Sequence, residues 1–218
     1  VRLIERGTEA LVSYAPGAAS GRFSLSTRRA RYGELVVPLA GRHQVENAAL
    51  AVLAAEALDE AAGPAIPVGA IVEGLARAHW PGRLQVAGGA PLLLLDGAHN
   101  PAGCEALAAA LKELGETGAR GRLWIVFGVL QDKDFESMAR HLFPLASRVI
   151  LTRGRSGRFR DPEEPAALAR AMGIKAEVIP DLRAALAFAR QACAHDDAIC
   201  LTGSLYLVGD AMEVLGLD

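Results

Sequence analysis

The stretch "LLLLDGAHNPAGCEALAAAL" (residues 92–111) carries the pattern that decides the fold. Four consecutive leucines suit a strand buried on both faces, which is how strands of a parallel, helix-covered sheet read. Asn100 followed by Pro101 suits a helix N-cap and first helical position, and an Ala- and Leu-rich helix follows. Asp96 and His99 lie between, at the carboxyl end of the strand, where open α/β sheets bind ligands. Two readings stay open from these residues alone. Either both side chains face the crevice beside the positive end of a helix, or Asp96 merely holds the turn and His99 is a satisfied surface histidine.

The same strand-then-helix alternation runs on to the end of the chain. "RLWIVFGVL", "RVILTR", "AEVIP" and "AICLTG" read as strands; "DFESMARHLFPLA", "EEPAALARAMG", "LRAALAFARQACA" and "LYLVGDAMEVLG" read as the helices between and after them. Five strands alternating with five helices predict a Rossmann-like α/β domain over residues 85–218, with a mostly parallel sheet and helices on both faces. Upstream the pattern differs. Residues 1–40 hold three short β runs, "EALVSY", "GRFSLS" and "ELVVPL", too few to build an independent core. A helix is predicted from about Gln44 to Ala62, stopped by Gly63-Pro64, and a second from near Pro67 to before Trp80. "WPGRLQ" (80–85) is a hinge candidate between a first region, 1–84, and the α/β domain.

Half of the 218 residues are apolar and 22% are charged, which supports a sizeable core and argues against disorder. The net charge of −2 and the lack of a basic face exclude an obvious nucleic-acid partner; "TRRARYG" (27–33) reads as a solvated strand end. No apolar run approaches the roughly 20 residues that span a bilayer. Three cysteines without CxxC spacing point to buried thiols in a reducing cytoplasm. The start "VRLIERG" is neither an initiator methionine nor a signal peptide, and suggests a fragment.

Two further strand ends carry unusual residues. "FGVLQDKDF" offers Lys133, one of only three lysines, to a phosphate or carboxylate, or else sets it beside Asp132 and Asp134 capping a helix. "LTGSLYLVG" offers Gly203-Ser204 as an anion nest or a plain N-cap. The chain contains no phosphate-loop glycine-lysine motif, no dinucleotide glycine fingerprint, no nucleophile elbow and no HExxH helix. No self-contained catalytic engine is legible, and no catalytic residue or metal ligand is assigned.

Taken together, "GRHQVENAALA" (41–51), "WPGRLQ", "LLDGAHNPAG" (94–103), "VFGVLQDKD" (126–134) and "LTGSLYLVGDAMEVLG" (201–216) resemble, in order, the motifs of the Mur-type amide ligases. The "PGRLQ", "DGAHNP", "DKD" and "GSLYLVG" forms are similar to the folate branch, the bifunctional folylpolyglutamate synthase/dihydrofolate synthases. The resemblance covers about residues 35–218. It implies a ligase that phosphorylates a carboxylate with ATP and lets the amino group of L-glutamate attack the acyl phosphate. Dihydropteroate or a folate would be the acceptor, and the enzyme would be monomeric and cytoplasmic. Residues 1–84 would be the end of the central ATP-binding domain and residues 85–218 the C-terminal domain. The phosphate loop and the Mg2+ ligands would precede Val1, leaving the isolated fragment inactive.

Residue by residue, the resemblance makes Asn47 an adenine-side contact and Arg83 the arginine that reaches the ATP phosphates. Asp96 becomes the ribose-binding aspartate, with His99 lining the same pocket. Lys133 and Ser204 become candidates for the glutamate carboxylate or the phosphoryl region. The chemistry is sensible: an amide pairs with donor and acceptor atoms of adenine, and guanidinium matches phosphate geometry. The arginine-rich loop "GRSGRFR" (154–160) has no role assigned. Two alternatives remain: a peptidoglycan-type Mur ligase, against which the "DGAHNP" and "GSLYLVG" forms argue, and a non-catalytic nucleotide-binding α/β module.

Overall fold

A computed structural model describes residues 10–15, 20–62, 66–117 and 121–217, which fall into two compact units, residues 1–81 and 82–218. In the first unit, β1 (Ala10–Ala15), β2 (Gly21–Thr27) and β3 (Arg31–Val37) form an antiparallel meander, followed by helices α1 (Arg42–Ala62) and α2 (Val68–Ala76). The alternation of β2 turns Phe23 and Leu25 inward, and Val45, Ala48, Ala49, Val52 and Leu53 form the helical stripe of α1 that meets them. The helices thus supply the apolar surface that three strands lack. "TRRARYG" is not simply a solvated strand end. Its first residues make the β2–β3 turn, closed by Thr27 N–H to the Ala30 carbonyl, while Tyr32 is buried and donates to the carboxylate of Glu56 at 2.8 Å.

The second unit is the α/β domain. Its elements are β4 (Gln85–Gly89), β5 (Leu92–Leu95), α3 (Pro101–Thr117), β6 (Leu123–Phe127), α4 (Phe135–Leu142), β7 (Arg148–Arg153), α5 (Glu163–Ala171), β8 (Ala176–Asp181), α6 (Leu182–Ala192), β9 (Ala198–Thr202) and α7 (Leu205–Leu215). The sheet order is β4-β5-β9-β6-β7-β8, with β5 to β9 parallel and β4 antiparallel on the edge. The five parallel strands and five helices are those predicted. β4 was not expected, because "QVAGG" has no strand character of its own. It exists by pairing with β5, Gln85 opposite Leu95. Helix α4 ends at Leu142 and a 3-10 turn takes over through residues 143–145, since Pro144 cannot continue the α-helical ladder.

The chain passes from β5 through β6 and β7 to β8 in one direction, and then returns to β9 in the middle. Right-handed crossovers therefore put α3, α4 and α5 on one face and α6 on the other. The contacts agree: α3 packs on α4, α4 on α5, and α6 on α7. Four of the five helix starts in this unit are capped by a side chain, while α5 begins after Pro162 without one. Asn100 accepts from Gly103 N at 2.7 Å, Asp134 from Ser137 N at 3.1 Å, Asp181 from Ala184 N at 2.8 Å and Ser204 from Tyr206 N at 3.2 Å.

Candidate functional site

Strand β9 lies between β5 and β6, but the chain leaves β9 towards the α6–α7 face and leaves its two neighbours towards the α3–α5 face. Both junctions are therefore points where connections diverge, the places where doubly wound sheets open a crevice. Three turns meet there: 96–99 after β5, 128–134 after β6 and 203–204 after β9. Backbone bonds tie them together. Gly203 N–H donates to the Ala98 carbonyl at 3.1 Å and Gly128 N–H to the Thr202 carbonyl at 3.2 Å. Gly203 has φ 110°, and a Cβ there would stand 2.6 Å from the Gly128 carbonyl oxygen, so both conformation and space require glycine.

Asp96 is the organising side chain. Its carboxylate is buried, with Oδ1 accepting from Ala98 N and Oδ2 from Leu84 N, each at 2.8 Å. The second bond pulls in the "PGRLQ" turn from the start of the unit, as does Gly97 N–H to the Gly82 carbonyl at 2.8 Å. Gly82 (φ 72°) and Leu84 (φ 46°) are both left-handed, a rare state for leucine that the Asp96 bond holds in place. Between them stands Arg83, half-buried and without a hydrogen bond or ion pair to any described residue. Asp96 thus holds the turn that carries Arg83.

Electrostatics match this placement. Burial pushes the Asp96 carboxyl above its usual range, against the pull of the Ala98 and Leu84 amides and of the Arg83 and His99 charges. The thiols near it, Cys104 and Cys200, are also raised, Cys104 to about 12, chiefly by burial and further by the Asp96 charge. His99 is half-buried with Nδ1 at 2.8 Å from the Gly97 carbonyl. A carbonyl only accepts, so Nδ1 carries the proton in this bond, and Nε2 is not engaged by it. Thr202, at the end of β9, has a buried hydroxyl without a hydrogen-bond partner. Sequence reading passed over it, and only its place between two glycine-marked strand ends pointed to it.

The structure also gives the arginine-rich loop a location. Gln131 N donates to the Arg158 carbonyl and Arg160 N to the Val129 carbonyl, with a bridge pairing Leu130 and Phe159. The loop after β7 is thereby clasped to the loop after β6. Lys133 pairs with Asp132 at 3.1 Å, Arg158 approaches the same carboxylate at 4.0 Å, and the Arg158 guanidinium lies 5.9 Å from the Tyr206 ring centroid. Lys133, Arg158 and Tyr206 thus form a cationic, aromatic group at the β6 and β9 ends. Ser204 is buried as the cap of α7.

Asn47 belongs to the other unit, exposed on α1, where it donates to the buried Gln44 side chain at 3.3 Å. Arg83, Asp96 and His99 are therefore brought together, with Lys133 and Ser204 at the neighbouring strand ends. Among the described residues no group of three His, Cys, Asp or Glu side chains is placed to hold a metal ion. No described helix is long and apolar enough to cross a membrane.

Comparison with known proteins adds to this geometry. Residues 82–205 match the family described as Mur ligase, glutamate ligase domain. A probable bifunctional folylpolyglutamate synthase/dihydropteroate synthase of Haloferax volcanii is 38% identical over 176 residues, covering 80% of this chain and 20% of its own. A dihydrofolate synthase/folylpolyglutamate synthase of Bacillus subtilis is 32% identical over 202 residues, covering 90% of this chain. The present chain spans 45% of that relative's length. The crystal structure of Mycobacterium tuberculosis folylpolyglutamate synthase complexed with ADP and AMPPCP superimposes with a TM-score of 0.84 at 30% identity, over 97% of this chain and 49% of that one. The chain belongs to the Mur ligase family, and residues 82–205 are its glutamate ligase domain.

Proposed function

We propose that this chain is the nucleotide- and glutamate-side portion of an ATP-dependent ligase that adds L-glutamate to dihydropteroate or a folate through an acyl phosphate. The observation that carries the reading is the Asp96 clasp, which presents an uncommitted arginine, Arg83, at a divergence point of the sheet. In this reading Arg83 meets the ATP phosphates, and His99 offers Nε2 to the nucleotide. Asp96 holds the turn and turns its remaining lone pairs to the ribose. Asn47 contacts adenine from the preceding unit. Lys133, with Arg158 beside it, meets a glutamate carboxylate or the phosphoryl group, and Ser204 shapes that end of the crevice.

Residues 1–84 act as the end of the central ATP-binding domain and 85–218 as the C-terminal domain. In this reading, as the resemblance implies, the phosphate loop and the Mg2+ ligands belong to another part of the polypeptide. The 218-residue chain alone is then inactive. The test is glutamate ligation by the complete polypeptide, with dihydropteroate or a UDP-linked muramyl peptide as acceptor. Arg83→Ala is expected to lower turnover on dihydropteroate about a hundredfold. Unchanged kinetics, or preference for the muramyl acceptor, would overturn the assignment.

A further inference from the structure

A second crevice opens at the other side of the same sheet edge. Strands β7 and β8 are adjacent and parallel, with Arg153 opposite Asp181, yet the chain leaves β7 for α5 on one face and β8 for α6 on the other. The divergence that opens the β5/β9/β6 crevice is therefore repeated here. It opens a cavity of about 590 Å3 lined by residues 153–155 and 180–183 and by Asp210, Glu213 and Val214 of α7. That volume lies within the range of small-molecule sites. None of Arg83, Asp96, His99, Lys133 or Ser204 lines it.

The charges of the lining are unevenly committed. Arg155 is bound on two sides, with Nε at 2.9 Å from Asp210 Oδ1 and Nη2 at 2.7 Å from Glu213 Oε1, and its backbone N–H also donates to Asp210. Asp181 is occupied as the cap of α6. All three carboxylates therefore have partners. The side chains of Arg153 and Arg183, by contrast, make no hydrogen bond or ion pair with any described residue. Pro180, Leu182 and Val214 give the cavity an apolar side. Gly154 keeps the wall thin: a Cβ there would stand 2.3 Å from Asp210 Oδ2.

We infer that this cleft is a binding site, separate from the nucleotide crevice, for a small organic anion that carries a carboxylate or phosphate on an apolar body. The two free guanidinium groups take the head group, in the fork geometry that suits both anions. The apolar side takes the body. Arg155, held by α7, is the wall and not a ligand. The inference does not rest on the ligase reading.

The test is an amide chemical-shift titration of the full chain with phenyl phosphate, with phenylacetate and with inorganic phosphate, each with and without saturating ADP. Saturable shifts of Gly154, Arg155, Leu182 and Arg183 with either phenyl anion, undiminished by ADP, are expected. Arg153→Ala together with Arg183→Ala should weaken that binding about tenfold or more at an unchanged melting temperature, since both side chains are exposed. The double lysine variant should fall between, keeping charge without the fork. Four results would overturn the inference: no shifts at these amides, affinity unaltered in the double alanine variant, shifts abolished by ADP, or equal affinity for inorganic phosphate, which would mean an adventitious ion only.

Discussion

Two buried aspartates sit at opposite ends of neighbouring strands, and they are treated very differently. Asp197, just before β9, accepts from Arg122 N at 2.7 Å, Ala194 N at 3.0 Å and Trp124 Nε1 at 3.2 Å, with the Arg122 guanidinium at 3.4 Å. Burial pushes its carboxyl up, but the two amides and the arginine outweigh it and hold the group below the usual range. Asp96, just after β5, accepts two amides, and burial wins. The nearby arginines match this division: Arg122 is turned onto its aspartate, whereas Arg83 makes no bond within the described chain. Beside Asp197, at the N-terminal end of the sheet, the arginine is tied into the fold, whereas beside Asp96, at the C-terminal end, it is not.

The strongest way to break this comparison is Asp197→Ala. It strands two backbone amides and the indole N–H of Trp124 in a buried position. We expect a loss of about 4 kcal/mol in urea unfolding, with ADP affinity of the folded protein unchanged. A loss below about 1 kcal/mol would remove Asp197 as the structural pole. At the opposite end, Gly203→Ala must bring a Cβ to within 2.6 Å of a carbonyl at φ 110°. About 3 kcal/mol should be lost, and here nucleotide binding should fall as well, because the β9 turn is displaced against Ala98.

Asp96→Asn sharpens the comparison through pH. The amide keeps the shape but turns a donor towards one of the two backbone N–H groups, costing about 2 kcal/mol. Because the folded-state carboxyl of Asp96 is raised, its contribution is fully present below the unfolded carboxylate pKa and declines as pH rises through the folded value. The stability gap between wild type and Asp96→Asn should therefore narrow as pH rises from the acid side. For Asp197 the folded carboxyl is lowered, so its contribution is present above the unfolded pKa and is lost as pH falls through the folded one. The gap to Asp197→Asn should widen over the same rise. Slopes of the same sign in thermal melts across the carboxylate range would contradict the contrast.

How much of this could be read beforehand follows from the range of the interactions. The buried runs "LLLL" and "AICLT" and the caps at Asn100, Asp134 and Ser204 are local, and they declare strands and helix starts directly. β4 is not local: its glycines carry no strand signal, and only Leu92–Leu95 makes it a strand. Arg83 was found by motif, but its presentation depends on Asp96, 13 positions away in sequence, and that bond cannot be inferred from spacing. The arginine-rich loop resisted reading for the same reason. Its partners are the turn at 129–133 and helix α7, both distant along the chain. Lys133 and Ser204 were each read with a bland alternative: Ser204 is an N-cap and Asp134 caps α4, but Asp132, expected as a second cap beside a solvated lysine, pairs with Lys133 instead.

A third buried carboxylate extends the comparison to the first unit. Glu56 accepts from Tyr32 Oη at 2.8 Å and Thr27 Oγ1 at 2.9 Å, so its donors are side chains that themselves titrate or rotate. Burial, and then the Glu56 bond and charge, raise the Tyr32 hydroxyl from 10.0 to about 12. A raised folded-state pKa means that the contribution is complete below pH 10.0 and disappears as pH climbs to about 12. The first unit should therefore lose stability across that window while its far-ultraviolet spectrum stays native at pH 9. Tyr32→Phe removes the titrating group and should cost about 1 kcal/mol at neutral pH, the smallest effect considered. In exchange, stability should flatten between pH 10 and 12. A wild-type melting curve already flat there would mean that Tyr32 ionises without disturbing the fold, and that Glu56 belongs with Asp197 as a saturated structural acid.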